Sequence, residues 1–418
     1  MIREQAISIL VKVQVQRGYA NLLLDDVIKK NNYSENDNAL LTKLVYGTIQ
    51  HQIYLDYQLS FLLKQKKAKP FEKQLLLISL YQFIYLTKIP NYAIINEAVE
   101  IAKRKRGIPT SKFINAVLRN FIKVGPQEII ASSKEQYLSI KSSHPLWLIK
   151  LLFKQYGEEE TNKITEANLQ VPNLTARVNT LVCSREAFLE NYPSFKAGNI
   201  SKDALIYQKG GNLATLEVYK EGKITIQDES SQLVAHLLHP TKHSYVLDMC
   251  SAPGNKTTHL SQIMQNTGRI DAYDIHASKI ATIEQNAKRL HITNIHAFAF
   301  DSTKLISNYD LETFDYILLD APCSGLGVIA RKPEIKYHDS AMMDSLIPLQ
   351  KELLEVAYQL LKKGGQLVYS TCTINKKENE NQITNFLKNH QDMRKEFEQT
   401  ILPYMYQSDG FYMCKLVK

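Results

Sequence analysis

The chain has 418 residues, 44% of them apolar and 22% charged, and a formal net charge of +9. This length exceeds one ordinary hydrophobic core, so a soluble globule of two or three domains is expected. Its five cysteines, Cys183, Cys250, Cys323, Cys372 and Cys414, are scattered, odd in number and without a CxxC pair, which argues against a disulfide framework and a structural zinc site built on cysteines.

The N-terminus "MIREQAISIL" mixes charge with short apolar pieces, and the most apolar window, "LLLISLYQFIYL", is too short to span a bilayer. A cytoplasmic protein with no membrane and no metal partner is therefore expected. Residues 1 to 125 read as an all-α bundle, with apolar positions three and four apart in "AISILVKVQVQ", "LLTKLVYGTIQ" and "FINAVLRNFIK". The whole charge excess lies here: residues 1 to 140 hold 20 Lys and Arg against 11 Asp and Glu, and the remaining residues hold 31 of each. Two basic clusters, "KQKKAK" (64 to 69) and "KRKR" (103 to 106), suit either a nucleic-acid surface or a solvated helical face.

Residues 126 to 240 are mixed: helical "HPLWLIKLLFKQYG", a turn at "QVPNL", strand-like "TARVNTLVC", and "GKITIQDESSQLVAHLLHP", where a strand runs into a helix. From 241 to 418 the alternation is regular. "SYVLDMC", "RIDAYDI", "HAFAF", "FDYILLDAP", "GGQLVYSTCT" and the closing "GFYMCKLVK" read as strands. "NKTTHLSQIMQ", "SKIATIEQNAKRL", a long stretch within 341 to 363 and "ENENQITNFLKNH" read as helices. Apolar strands alternating with amphipathic helices predict a Rossmann-like α/β domain with a mostly parallel sheet, whose ligands lie at the carboxyl ends of the strands.

Three acids fall on that edge. Asp248 ends the strand before "CSAPGNK", a small-residue turn in which Pro253 and Gly254 open a helix and let a ligand approach the backbone. The turn is neither a GxGxxG fingerprint nor a P-loop. Asp274, twenty residues past Gly254, is placed to hold the two hydroxyls of a ribose, and Asp301 to meet an adenine amino group. Singly each is as well explained as a helix cap; in register they point to an adenosine-type ligand.

The segments "DMCSAPGNKTT", "LLDAPCSG" and "VYSTCT...ENE" together resemble the motif set of the RNA 5-methylcytosine methyltransferases that use S-adenosylmethionine. "LVYGTIQ", "AIINEAVEIAKRKRG" and "KFINAVLRNFIK" resemble the NusB-like domain of the RsmB-type branch, which acts on small-subunit ribosomal RNA; "ITIQDESSQLVA" and "DGFYMCKLVK" fit the same branch. The resemblance implies a NusB-like RNA-binding domain (1 to 125), a pre-catalytic region (126 to 240) and a methyltransferase domain (241 to 418). It also implies ribosomal RNA as partner and a monomer. Ser251 stands where alanine is usual, and Asn255 where a second glycine is usual; Asn tolerates positive φ, so the turn is expected to form.

By the family pattern Cys372 is the nucleophile that adds to carbon 6 of cytosine, and Cys323 assists release of the methylated product. Asp320 binds the exocyclic amine or ring nitrogen of the base and stabilises charge in the adduct; to act as a proton donor it would need a pKa raised by burial. Lys256 contacts cofactor or substrate. The cofactor set is Asp248, Cys250, Ser251, Ala252, Pro253, Gly254, Asn255, Lys256, Asp274, Asp301 and Asp320, and Arg331 and Lys332 are candidates for RNA phosphate contacts. The thiols of Cys183, Cys250 and Cys414 are read as small buried groups, the first and last in strands. Two other readings are a non-catalytic RNA-binding factor of NusB type and a DNA cytosine methyltransferase, in which the Pro-Cys cysteine attacks. The presence of Cys372 favours RNA.

Overall fold

The computed structural model describes every residue except 1, 17, 32, 65 and 66. Two compact units result: residues 1–169 with 331–338, and residues 170–330 with 339–418.

In the first unit the described residues form helices α1 (Ile2–Gln16), α2 (Ala20–Asn31), α3 (Glu35–Gln50), α4 (Gln52–Leu63), α5 (Pro70–Tyr85), α6 (Asn91–Arg106), α7 (Ile108–Val124), α8 (Lys134–Ser142) and α9 (Leu146–Asn168). The apolar window that is too short for a membrane is α5, buried without a break from Gln74 to Gln82 because the other helices surround it. Gly47 of α3 is required by this packing, since a Cβ there would overlap the Tyr81 ring. The segment 331–338, which the sequence reading includes in the domain 241 to 418, packs in this unit. Lys336, fully buried, donates to the Gln50 carbonyl at 2.7 Å, and Tyr337 donates to the Ile49 carbonyl at 2.8 Å. Burial depresses the Lys336 amine well below its usual range.

The basic clusters are partly neutralised within the unit. Arg104 and Lys105 both pair with Glu4, at 2.9 and 2.5 Å, and Arg106 lies over the Phe71 ring. In the other cluster Gln65 and Lys66 lie outside the described residues. Among the described residues no helix is long and apolar enough to cross a membrane.

The second unit holds two sheets. A small antiparallel sheet has the order β2-β3-β1-β4, with β1 Leu174–Val178, β2 Phe195–Ala197, β3 Ala204–Tyr207 and β4 Ile224–Ile226. Helices α10 (Arg185–Asn191), α11 (Glu217–Lys220) and α12 (Glu229–Leu238) accompany it. Cys183, expected in a strand, follows the turn after β1 and is half-buried. The chain leaves the strand there because Asn179 takes over the turn's hydrogen bonds, accepting the amides of Val182 and Cys183.

The large sheet comprises β5 (Tyr245–Asp248), β6 (Arg269–Asp274), β7 (Ile295–Ala299), β8 (Phe314–Asp320), β9 (Leu361–Thr371), β10 (Arg394–Ile401) and β11 (Phe411–Val417). Its order is β10-β11-β9-β8-β5-β6-β7; the pairs from β9 to β7 are parallel, and β11 and β10 join antiparallel. The central strands read as continuous apolar runs because both faces are covered. On one face Leu247, Ile317, Leu319 and Leu367 meet α15 (Ser340–Leu360) and α16 (Glu380–Asn389) through Leu353, Leu354, Ala357 and Phe386. On the other, Val246, Ile270, Leu318 and Val368 meet α12 and α13 (Asn255–Ile263) through Val234, Leu238, Leu260 and Met264. Helix α14 (Ala277–Arg289) links β6 to β7. The connections leave β5 and β8 on opposite sides, so the carboxyl ends of these neighbours form the crevice in which such sheets bind ligands.

Candidate active site

Asp248 ends β5 with no exposure. Its Oδ2 accepts the Thr257 hydroxyl at 2.7 Å, and its Oδ1 is buried without a partner. Burial, reinforced by the charge of Asp320, pushes its carboxyl up to about 7 against the Thr257 hydrogen bond. The chain then turns. The Ser251 amide and hydroxyl both donate to the Tyr273 carbonyl, at 2.8 and 2.9 Å, so this serine pins the turn to β6. Ala252 is half-buried and Pro253 exposed; Gly254 takes φ +96° and leads into α13. Asn255 does not adopt positive φ, contrary to expectation: it is the first residue of α13, and Gly254 alone absorbs the reversal. The Asn255 side chain donates to the Ile226 carbonyl at 3.0 Å, and its own carbonyl accepts from Arg177 at 2.7 Å. Cys250 is half-buried; burial, then the charges of Asp248 and Asp320, raise its thiol, which suits an unreactive group. Cys414 is buried in β11.

Asp274 closes β6 at 8% exposure, with one carboxylate oxygen accepting the His276 amide at 2.9 Å and Lys279 at 3.5 Å. Asp301 stands two residues beyond β7 and caps a 3-10 turn, accepting the Thr303 amide and hydroxyl at 3.1 and 2.8 Å. The Thr303 hydroxyl holds its carboxyl below the usual range. The cap is thus a definite role for this acid.

Asp320 ends β8 beside the end of β9. Lys256 donates to its Oδ2 at 2.7 Å and Ser370 to its Oδ1 at 2.8 Å. Both oxygens act as acceptors and the side chain is 27% exposed. Burial opposes the charge on Lys256, but Asp320 outweighs it, and Cys372 adds to the pull, so the ammonium is held. The sulfurs of Cys323 and Cys372 are 3.4 Å apart. The hydrogen bond with Cys372, then burial, raises the Cys323 thiol well above its usual range, which keeps the proton on Cys323.

The two cysteine loops are locked together by residues that the motifs alone did not single out. Glu378, with no exposure, accepts the Ser324 amide and hydroxyl (2.8 and 2.5 Å), Asn375 (2.9 Å) and Gln350 (3.1 Å). Gln350 also donates to the Pro322 carbonyl at 2.9 Å, and Asn379 to the Thr373 carbonyl at 2.9 Å. The Gly327 amide donates to the Cys372 carbonyl at 3.0 Å, and a Cβ at Gly327 would collide with the Gly410 carbonyl. The "ENE" at 378 to 380 was the available signal for Glu378; nothing in the sequence indicated that it reaches Ser324. Arg331 and Lys332 fall in the first unit.

Residues 235–417 match the family model "16S rRNA methyltransferase RsmB/F", residues 1–123 the NusB family, and residues 144–205 the ferredoxin-like domain of RsmF/B-like methyltransferases. The chain is 39% identical to the probable ribosomal RNA small subunit methyltransferase B of Bacillus subtilis (strain 168), across 100% of this chain and 98% of the relative. The crystal structure of PH0851 shares the fold, with TM-score 0.85 and 24% identity over 100% of this chain and 99% of that one. NSun6 from Pyrococcus horikoshii, solved with SFG, does so with TM-score 0.60 and 22% identity over 64% and 97%.

Proposed function

We propose that this chain, which belongs to the RsmB/F family of 16S ribosomal RNA methyltransferases, methylates carbon 5 of a cytosine in small-subunit ribosomal RNA through a covalent cysteine–cytosine adduct. The methyl donor of the family is S-adenosylmethionine, and the residues present suit it. Asp248 offers a buried, unpartnered oxygen beside the Ser251–Gly254 turn, and Asp274 lies at the next strand end. Bound there, the cofactor supplies an electrophilic methyl group.

The observation that carries the proposal is the 3.4 Å sulfur pair beside the Lys256–Asp320 ion pair. Carbon 5 of cytosine is a poor nucleophile. A Cys372 thiolate adding to carbon 6 makes the ring enamine-like, so that carbon 5 can take the methyl group. The Lys256 ammonium favours that thiolate, and Asp320 receives the exocyclic amine of the base.

Once Cys372 is bonded to carbon 6, the hydrogen bond that chiefly holds the proton on Cys323 is gone. Cys323 then releases its proton to solvent, the one proton the net reaction liberates, and its thiolate takes the proton from carbon 5. The electrons of that C–H bond form the 5,6 double bond as the bond from carbon 6 to sulfur breaks and Cys372 leaves as thiolate. The helical unit, which carries the positive charge, grips RNA backbone, with Arg331 and Lys332 on phosphates, and the enzyme acts as a monomer in the cytoplasm. Mapping 5-methylcytosine in 16S ribosomal RNA from cells with and without the gene tests the function. One cytosine should lose its methyl group in the deletion strain; an unchanged map rejects the assignment.

A further inference from the structure

Asp203, His236 and His259 are far apart in the chain and match no ligand-spacing motif, yet the fold brings one donor atom of each within 4.8 Å of the others. They come from three elements: Asp203 immediately precedes β3, His236 lies on α12, and His259 on α13. Both Nε2 atoms stand 3.0 Å from the same oxygen, Asp203 Oδ2. The rings are mutually perpendicular, 4.7 Å apart at 86°.

Hydrogen bonding accounts for only part of this arrangement. His259 Nε2 reaches Asp203 as a hydrogen bond, but His236 Nε2, at the same distance, is not aligned to make one. Both ring nitrogens of His236 and Nδ1 of His259 are buried without a hydrogen bond. Orphaned buried polar atoms are costly, and three on two adjacent rings need a cause. Zinc bonds of about 2.0 to 2.2 Å place tetrahedral ligand atoms about 3.3 to 3.6 Å apart, a few tenths of an ångström wider than the nitrogen–oxygen separations here, which a small side-chain shift supplies.

We propose that Asp203, His236 and His259 form a binding site for a divalent transition-metal ion of the zinc class, held by two imidazoles and one carboxylate with a fourth position open. The nearby Arg177 guanidinium repels a dication, which keeps binding reversible. The ion joins the small sheet to α13, whose first turn carries Lys256, so it steadies the cofactor helix without taking part in the reaction.

The test uses the full chain, stripped with chelator and titrated with zinc alone by calorimetry. One equivalent should bind, and His236→Ala, at the most exposed of the three positions, should weaken it about tenfold or more. Zinc also favours thiolates, so a Cys323→Ser/Cys372→Ser double variant should still take up its equivalent. Cobalt(II) in the wild type should give visible bands of a nitrogen–oxygen site without thiolate charge transfer, a readout that needs no variant. Absence of uptake, equal uptake by His236→Ala, or loss of uptake in the cysteine variant would each overturn the site.

Discussion

The sulfur of Cys323 lies 3.4 Å from that of Cys372, although 49 residues separate them in the chain. The contact exists because β8 and β9 are parallel neighbours in register, Asp320 opposite Ser370, so the residues just past their carboxyl ends converge. Glu378 and Gly327 then hold the two loops at that separation.

Glu378 is expected to be a positioning residue. Glu378→Gln turns one acceptor into a donor facing Ser324, Asn375 and Gln350, at a cost of about 1–3 kcal/mol in stability. The methylation rate constant should fall about tenfold or more while affinity for S-adenosylmethionine, held by another turn, stays unchanged. Equal losses in both would mean general unfolding of the site.

Asp274→Ala should remove a charge-assisted contact to the cofactor ribose, which contributes roughly 1.5–3 kcal/mol, so affinity should drop about tenfold or more. Calorimetry with S-adenosylmethionine reads it directly. Wild-type affinity in the variant would take Asp274 out of the cofactor site.

Asp248 gives a pH signature. Its carboxyl is raised to about 7 in the fold by burial, against an unfolded value near 3.8, so the folded chain binds the extra proton. Stability from this group is therefore full below about pH 4 and is lost as pH rises toward 7, a change on the order of 4 kcal/mol. Asp248→Asn cannot titrate. Relative to that variant, the wild type should melt progressively lower between pH 4 and 7 in the absence of cofactor; parallel melting curves across this range would show that Asp248 keeps an ordinary carboxyl.

What the sequence made legible follows from local physics. The β5 to β9 strands stand out because burial on both faces demands apolar runs, and Asp248, Asp274, Asp320, Cys323 and Cys372 were found because each sits at or just past the carboxyl end of one. Contacts between distant segments were not legible. No periodicity indicates that Lys336 will be buried against Gln50, that Glu378 will accept from Ser324, or that Asp203 will meet two histidines. Nor does any pattern show that Gly254 alone would absorb the reversal before Asn255, or that Lys256 would reach Asp320, a pairing 64 residues apart.

Denaturing electrophoresis of protein with RNA and S-adenosylmethionine tests the division of labour between the two thiols most directly. Cys323→Ala should attack and methylate but release slowly, accumulating a protein–RNA conjugate. Cys372→Ala should bind RNA and cofactor yet form no conjugate and transfer no methyl group, and the double variant should behave like Cys372→Ala. A conjugate that forms in Cys372→Ala and vanishes in Cys323→Ala would contradict the account and make Cys323 the attacking thiol.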